Sequence, residues 1–258
     1  MRRACVQSAS WQERHRDNHY TINDFFRPEV AGEFDIPALE RCDAIPSIDM
    51  YPYDKLKHYP KAAVLGQYAL HFFMGDEMFQ KTWFSPKITL SPVERVGLAI
   101  TPDFSLYSDW TYSVQLWQTY RTRWLGAYWA SEGVQVIPSV SWSDDRSFEF
   151  CFDGLPVGGT FAIATMELAE PEAAPLFKAG LIEFILRCKP STLLVYGKGF
   201  KGFIEEAVDK YSGGETRRYL SRMDHLKKKL ADKKLNESLS AAERSRAAGK
   251  SQQVRVGI

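Results

Sequence analysis

What most constrains the fold of this chain is an alternation of two patterns. Short apolar runs, bounded by Gly, Pro and Asp, occur at Tyr68–Phe73, Val96–Thr101, Val134–Ile137, Phe148–Phe152, Thr160–Thr165 and Thr192–Tyr196. Their length and composition suit buried strands. Between several of them lie longer stretches with apolar residues every three or four positions: Trp110–Ser131, Pro175–Lys189 and Phe203–Tyr211. Ser108 or Asp109 is placed to cap the first of these helices and Gly133 to end it. Strands alternating with helices predict an α/β fold with a mainly parallel sheet and crossover helices, as an open sheet or a partial β/α barrel.

Three regions are expected. Residues 1–44 are polar and broken by Pro28 and Pro37, and read as a wrapping arm. Residues 45–214 carry the α/β pattern. Residues 215–258 read as a basic helical tail with Tyr219, Met223, Leu226 and Leu230 on a narrow stripe, ending in a stretch around Ala247–Ser251 of disordered composition. The tail holds 12 Lys and Arg against 5 Asp and Glu, which leaves 21 basic and 27 acidic residues for Met1–Gly214. A negative body with a positive appendage points to an interaction tail, with nucleic acid or an acidic protein as its partner. Arg217, Arg218, Lys227, Lys228, Lys229, Lys233 and Lys234 are the residues expected to make that contact.

Other classes are disfavoured. Cys5, Cys42, Cys151 and Cys188 are widely separated, which suggests buried thiols rather than a zinc ribbon or a disulfide framework. The N-terminus lacks the apolar segment of a secretory signal and no run approaches ~18 apolar residues, so a cytoplasmic protein without membrane contact is expected. His15 and His19 share a helical spacing, but no third metal ligand is legible nearby.

In parallel α/β folds ligands bind at the carboxyl ends of the strands. The segments after the apolar runs are rich in polar groups: Gly75-Asp76-Glu77, Pro102–Asp109, Pro138–Trp142, Met166-Glu167 and Gly197-Lys198. Asp103 with Asp109 or Asp153 is the expected carboxylate pair for acid–base chemistry, although Asp and Ser also populate such loops as turn formers. Arg121 falls within the apolar stripe Trp110, Val114, Trp117, Trp124 and Tyr128, where a charge needs a partner such as Asp103, Asp109 or an anionic ligand. Arg123 falls on the opposite side of the wheel and is expected at the surface. Gln115, Arg121, Trp142, Tyr196 and Lys198 are the expected ligand-binding residues. His71, within an apolar run, is expected to be a hydrogen-bonded core residue. Gly197–Gly202 satisfies G-x-G-x-x-G, but without a following strand that ends in an acid it reads as a glycine connection whose lysines suit a phosphate. No cofactor can be named.

Ile100–Tyr107, Gln115, Tyr120–Arg123, Gly126, Val136–Trp142, Phe150–Gly154 and Val195–Gly197 together resemble the domain-of-unknown-function family numbered 4417. The resemblance runs from about Ile45 to Gly197. It implies a shared fold and a setting in bacteria, their phages and mobile elements, but no catalytic assignment. It overlaps Asp103, Gln115, Arg121, Trp142 and Asp153. The reading that follows is a phage or mobile-element accessory protein binding a phosphate-bearing ligand, nucleic acid or nucleotide, at the carboxyl ends of the strands. The alternatives are a small-molecule hydrolase using paired carboxylates, and a protein-interaction module acting through the C-terminal helix.

Overall fold

The computed structural model describes residues 23, 25–43, 45, 48–165 and 174–233. His15, His19, Cys5, Met166, Glu167, Lys234 and the Ala247–Ser251 stretch lie outside them. The chain divides into two compact units after Tyr219.

The first unit is α/β with parallel sheets. A two-residue hairpin, β1 (Val30–Ala31) and β2 (Ile36–Pro37), precedes four parallel strands in sequence order: β3 (Asp49–Pro52), β4 (Tyr68–His71), β5 (Leu98–Ile100) and β6 (Gln135–Ile137). A second parallel set, β7 (Thr160–Ala164), β8 (Thr192–Tyr196) and β9 (Glu215–Tyr219), is also in sequence order. The two sets meet at one parallel bridge, Ser139 to Ala162, where Val140 N–H donates to Ala162 O and Ala162 N–H to Pro138 O, both at 2.9 Å. The strands do not close into a barrel.

The helices are α1 (Lys81–Phe84), α2 (Pro86–Glu94), α3 (Tyr112–Ser131), α4 (Ala174–Cys188) and α5 (Phe203–Ser212). Right-handed crossovers between strands in sequence order put successive helices on one face of the sheet. The period-two alternation of the strands matches that arrangement. Leu70, Phe72, Ala99 and Val136 pack with Trp124, Leu125 and Trp129 of α3, and Phe161, Ile163, Leu193 and Val195 with Leu181, Phe184 and Ile204 of α4 and α5. The alternate residues Ala69, Leu98, Ile100, Ile137, Ala162, Leu194 and Tyr196 form a separate cluster on the other face. Cys42, Ile45 and Ile48 fill that face from the preceding segment. Thr160 N–H donates to Cys42 O at 2.6 Å at the start of β7, and Arg217 donates to Ile45 O at 2.5 Å. The preceding segment thereby covers the start of β7 and is tied to β9.

Three local expectations are corrected. Phe148–Phe152 is not a strand: Asp144 accepts from Ser147 N–H and opens a 3₁₀ turn over Asp145–Glu149, and Phe150 and Phe152 reach the core from the turns that follow. Glu215–Tyr219 is not the start of a tail helix but the edge strand β9, paired with β8 in register Thr192 to Glu215. The break at Gly213 does end a helix, in the left-handed conformation at φ 65°, yet the chain then re-enters the sheet. Third, Arg123 is not at the surface.

Arg123 is only 2% exposed. Its guanidinium donates to Ser139 O at 3.1 Å, Cys151 O at 2.9 Å and Asp153 O at 3.4 Å. One planar fork therefore joins α3 to the end of β6 and to the turns after the 3₁₀ segment. Burial lowers its pKa to about 10, still far above neutrality, so it remains charged. Arg123→Met leaves three carbonyls without this donor and is expected to cost about 3–5 kcal/mol in urea unfolding. Arg123→Lys recovers only part of this, because an ammonium cannot span three diverging acceptors.

His71 is buried on the face opposite the helices, with its ring 4.6 Å from that of Tyr196, and its Nδ1 accepts from Phe73 N–H at 3.4 Å. Burial drops its pKa from 6.5 to about 4. The unfolded chain therefore binds the extra proton between those values, so stability is full above about pH 6.5 and falls on acidification toward pH 4. Going from about pH 7 to about pH 5 is expected to remove about 2 kcal/mol through this group. His71→Phe should flatten that part of the unfolding midpoint against pH curve.

Candidate functional site

A cleft of about 210 Å³ opens at the carboxyl ends of β4 to β7, where the sequence places its polar loops. Each wall comes from a different strand end. Phe73 and Met74 follow β4; the run from Asp103 to Tyr107 follows β5; and Val140 to Ser143 follow β6. Ile163 and Ala164 close β7, and Leu176 and Phe177 come from the first turns of α4. The lining is aromatic and apolar, with the Asp103 carboxylate and the hydroxyls of Ser105, Tyr107, Ser141 and Ser143 as its polar side chains. Among the described lining residues there is no Lys, Arg or His.

The wall after β5 is held by buried amides. Asp76 accepts from Ser105 N–H at 3.1 Å and Ser105 Oγ at 3.0 Å. Gln118 donates to Ser105 O at 3.1 Å and to Asp76 at 3.4 Å. Arg121 donates to Gln118 and lies 3.8 Å over the Phe104 ring, whose other neighbours are in the core. Burial lowers its pKa to about 10, and the negative Asp76 opposes that drop. The charge in the apolar stripe is thus met by Gln118, Asp76 and an aromatic face.

Gln115 is 1% exposed and ties two walls together: it donates to Trp110 O at 2.9 Å and accepts from Ser143 Oγ. Trp142 stacks on Phe177 at 5.3 Å between centroids, and its indole fills the space over Gly180 on α4. Phe177 stacks in turn on Phe200 at 4.3 Å.

The expected site residues therefore separate. Asp103 and Trp142 line the cleft, and Gln115 and Arg121 position its walls. Tyr196 sits beneath, 5.4 Å from the Phe73 ring. Asp109 is exposed and away from the lining. The Asp153 carboxylate lies against Gly32, which has φ 74° and no room for a side chain, and burial raises its pKa. Asp103, Asp109 and Asp153 do not converge on the cleft. Lys198 is exposed in the loop between β8 and α5. Gln118 and Phe177 are absent from the sequence reading of the site, and Asp76 and Ser105 lie in its strand-end loops without an assigned role. Asp76 stood in a flagged loop, but its partner Ser105 is distant in sequence.

In the glycine loop a strand does follow α5, but it carries Arg217 and Arg218 rather than a terminal acid. Gly202 N–H is taken by the Glu205 carboxylate at 2.6 Å, and Arg218 pairs with Glu205 and donates to Gly197 O and Gly199 O, each at 3.1 Å. Arg217 pairs with Glu215. In the second unit residues 222–233 are helical, with Lys227, Lys228, Lys229 and Lys233 exposed alongside Met223, Leu226 and Leu230. Among the described residues no helix is long and apolar enough to cross a membrane, and no cluster of metal-ligating side chains occurs.

The model of the family described as Domain of unknown function (DUF4417) matches residues 28–212. The Gene 1 protein of Mycobacterium phage L5 is 43% identical over 171 residues, 66% of this chain and 74% of the relative. The Gene 1 protein of Mycobacterium phage D29 is 38% identical over 200 residues, 77% of this chain and 71% of the relative. No solved structure matches.

Gly180 is a sharp test of this geometry, since a Cβ there would fall 2.3 Å from the Trp142 indole nitrogen. Gly180→Ala is expected to push the indole into the cleft, to cost about 1–3 kcal/mol by overpacking, and to shift the emission of Trp142 against a Trp142→Phe control.

Proposed function

Starting from a chain that belongs to the DUF4417 family and is similar to phage Gene 1 proteins, we propose that its strand-end cleft binds a nucleobase. The observation that carries this reading is the pairing of aromatic walls with one carboxylate. Trp142 and Tyr107 present accessible ring surface, with Phe104 and Phe177 packed behind the lining, while Asp103 accepts hydrogen bonds but cannot, when ionised, donate them. Such a site selects a flat ligand rich in N–H groups; the Ser141 hydroxyl can donate or accept at its edge, while those of Ser105 and Ser143, whose protons go to Asp76 and Gln115, can only accept. An anionic group in the same space would meet the Asp103 charge and no cation among the described lining residues. The base, rather than a phosphate, is therefore the part of the ligand that the cleft encloses.

Calorimetric titration of the full chain with the four ribonucleosides tests this. At least one should bind. Trp142→Ala should weaken it about tenfold or more through lost stacking, and Asp103→Asn by a similar factor through the lost charge-assisted hydrogen bond. Absence of binding by all four nucleosides and their bases overturns the reading.

A second reading is favoured by the exposure of Lys227, Lys228, Lys229 and Lys233 on one short helix: contact with nucleic-acid phosphates. Replacing Lys227, Lys228 and Lys229 by Glu should abolish salt-sensitive retention on single- or double-stranded DNA, while leaving nucleoside binding in the cleft unchanged. Retention that is absent, or that survives the triple variant, counts against it.

A further inference from the structure

We infer that the base selected by the cleft is guanine; this rests on the nucleobase reading above and goes beyond it by naming the base. The choice is set by the direction in which the polar groups of the lining are already committed. Gln115 donates through its amide nitrogen to Trp110 O at 2.9 Å, so its amide oxygen is turned to the Ser143 hydroxyl and takes that proton. Ser143 Oγ is left with lone pairs alone. In the wall after β5, Asp76 takes the Ser105 hydroxyl proton at 3.0 Å and Ser105 N–H at 3.1 Å, and Gln118 donates to the same carboxylate at 3.4 Å. Ser105 Oγ therefore also accepts without donating. Asp103 adds a carboxylate whose two oxygens hold about four lone-pair sites, so it keeps acceptor capacity alongside its contacts within the fold.

Asp103, Ser105 and Ser143 thus line the cleft as acceptors, from the loops after β5 and β6. The Trp142 indole nitrogen lies over Gly180 on α4, and the hydroxyls of Ser141 and Tyr107 can still donate. The polar edge of the ligand must carry more donors than acceptors. Guanine meets this condition: N1–H and the 2-amino group put their N–H bonds side by side, with O6 beside them as an acceptor for Ser141 or Tyr107. Adenine and cytosine each set one amino group beside a bare ring nitrogen, and uracil holds its N–H between two carbonyls. A ring nitrogen or carbonyl placed against Asp103 or a committed serine brings lone pairs together and forfeits the hydrogen bond, whereas each N–H of guanine finds an acceptor. The flat purine also suits the accessible rings of Trp142 and Tyr107.

The test is calorimetric titration of the full chain with guanosine, inosine, adenosine, cytidine and uridine. Guanosine is expected to bind about tenfold or more tightly than each of the others, inosine included, since inosine differs from it only in lacking the 2-amino group. Asp103→Asn puts an amide N–H among the acceptors and should shrink the lead of guanosine over adenosine about tenfold. Ser105→Ala, which leaves Asp76 its bonds from Ser105 N–H and Gln118, should shrink that lead as well. Another nucleoside binding as tightly as guanosine, or a lead that survives both Asp103→Asn and Ser105→Ala, overturns the guanine assignment while the nucleobase reading stands. Absence of binding by every nucleoside and its base overturns both.

Discussion

The buried guanidinium of Arg123 is the constraint on which the rest of the fold depends. The two parallel sets of strands touch through a single bridge, Ser139 to Ala162, so backbone pairing contributes little at their junction. Arg123 reaches that junction from α3 and takes the carbonyl of Ser139 itself, along with those of Cys151 and Asp153. A charge this deep is tolerated because its donors are satisfied by fixed carbonyl dipoles and the Asp103 and Asp153 carboxylates favour it from nearby. The side chain beside it is equally constrained. Thr101 accepts from Ser139 N–H at 2.7 Å and shares a hydrogen bond with the Ser139 hydroxyl, so the ends of β5 and β6 are held by the same cluster.

From that junction the cleft follows. The loops after β5 and β6 form its first walls, and both are fixed from behind by α3, through Gln115 on Ser143 and Gln118 on Ser105. The buried polar residues of α3 are thus not a flaw in its packing. They turn a core helix into a scaffold for loops, whose backbone groups need partners once water is excluded. The aromatic stack Trp142, Phe177 and Phe200 does the same on the other side with ring faces instead of amides.

Much of the fold was legible in the chain because the physics that sets it is local. Short apolar runs alternating with helical stripes specify parallel strands and crossovers, and five of the six runs are strands or contain one. The failures have physical causes. Phe148–Phe152 looks extended by composition, but Asp144 and Ser147 satisfy each other's backbone groups and bend the chain. The charged Glu215–Tyr219 reads as surface helix because an edge strand buries only one side, and its arginines find partners in Glu205, Glu215 and loop carbonyls. Arg123 was misplaced because a helical wheel assumes one wet face, whereas α3 is covered on the far side by the β1–β2 hairpin and the 3₁₀ turn. In the site, strand-end position pointed to Asp103 and Trp142. The carboxylate pairings, which depend on distances between separate loops, did not follow from position alone.

The seam between the two strand sets has a mechanical meaning of its own. Asp103, Ser141 and Trp142 stand on one side of it and Ala164 and Phe177 on the other, so the cleft straddles the line along which the sheet is least continuous. Whatever occupies the cleft touches both halves at once. Its binding free energy would then be added to the cohesion of a junction already held by two backbone hydrogen bonds, a stack of rings and the apolar cluster that Ile100 and Ile137 share with Ala162 and Leu194. A ligand bound there would act as mortar in that joint.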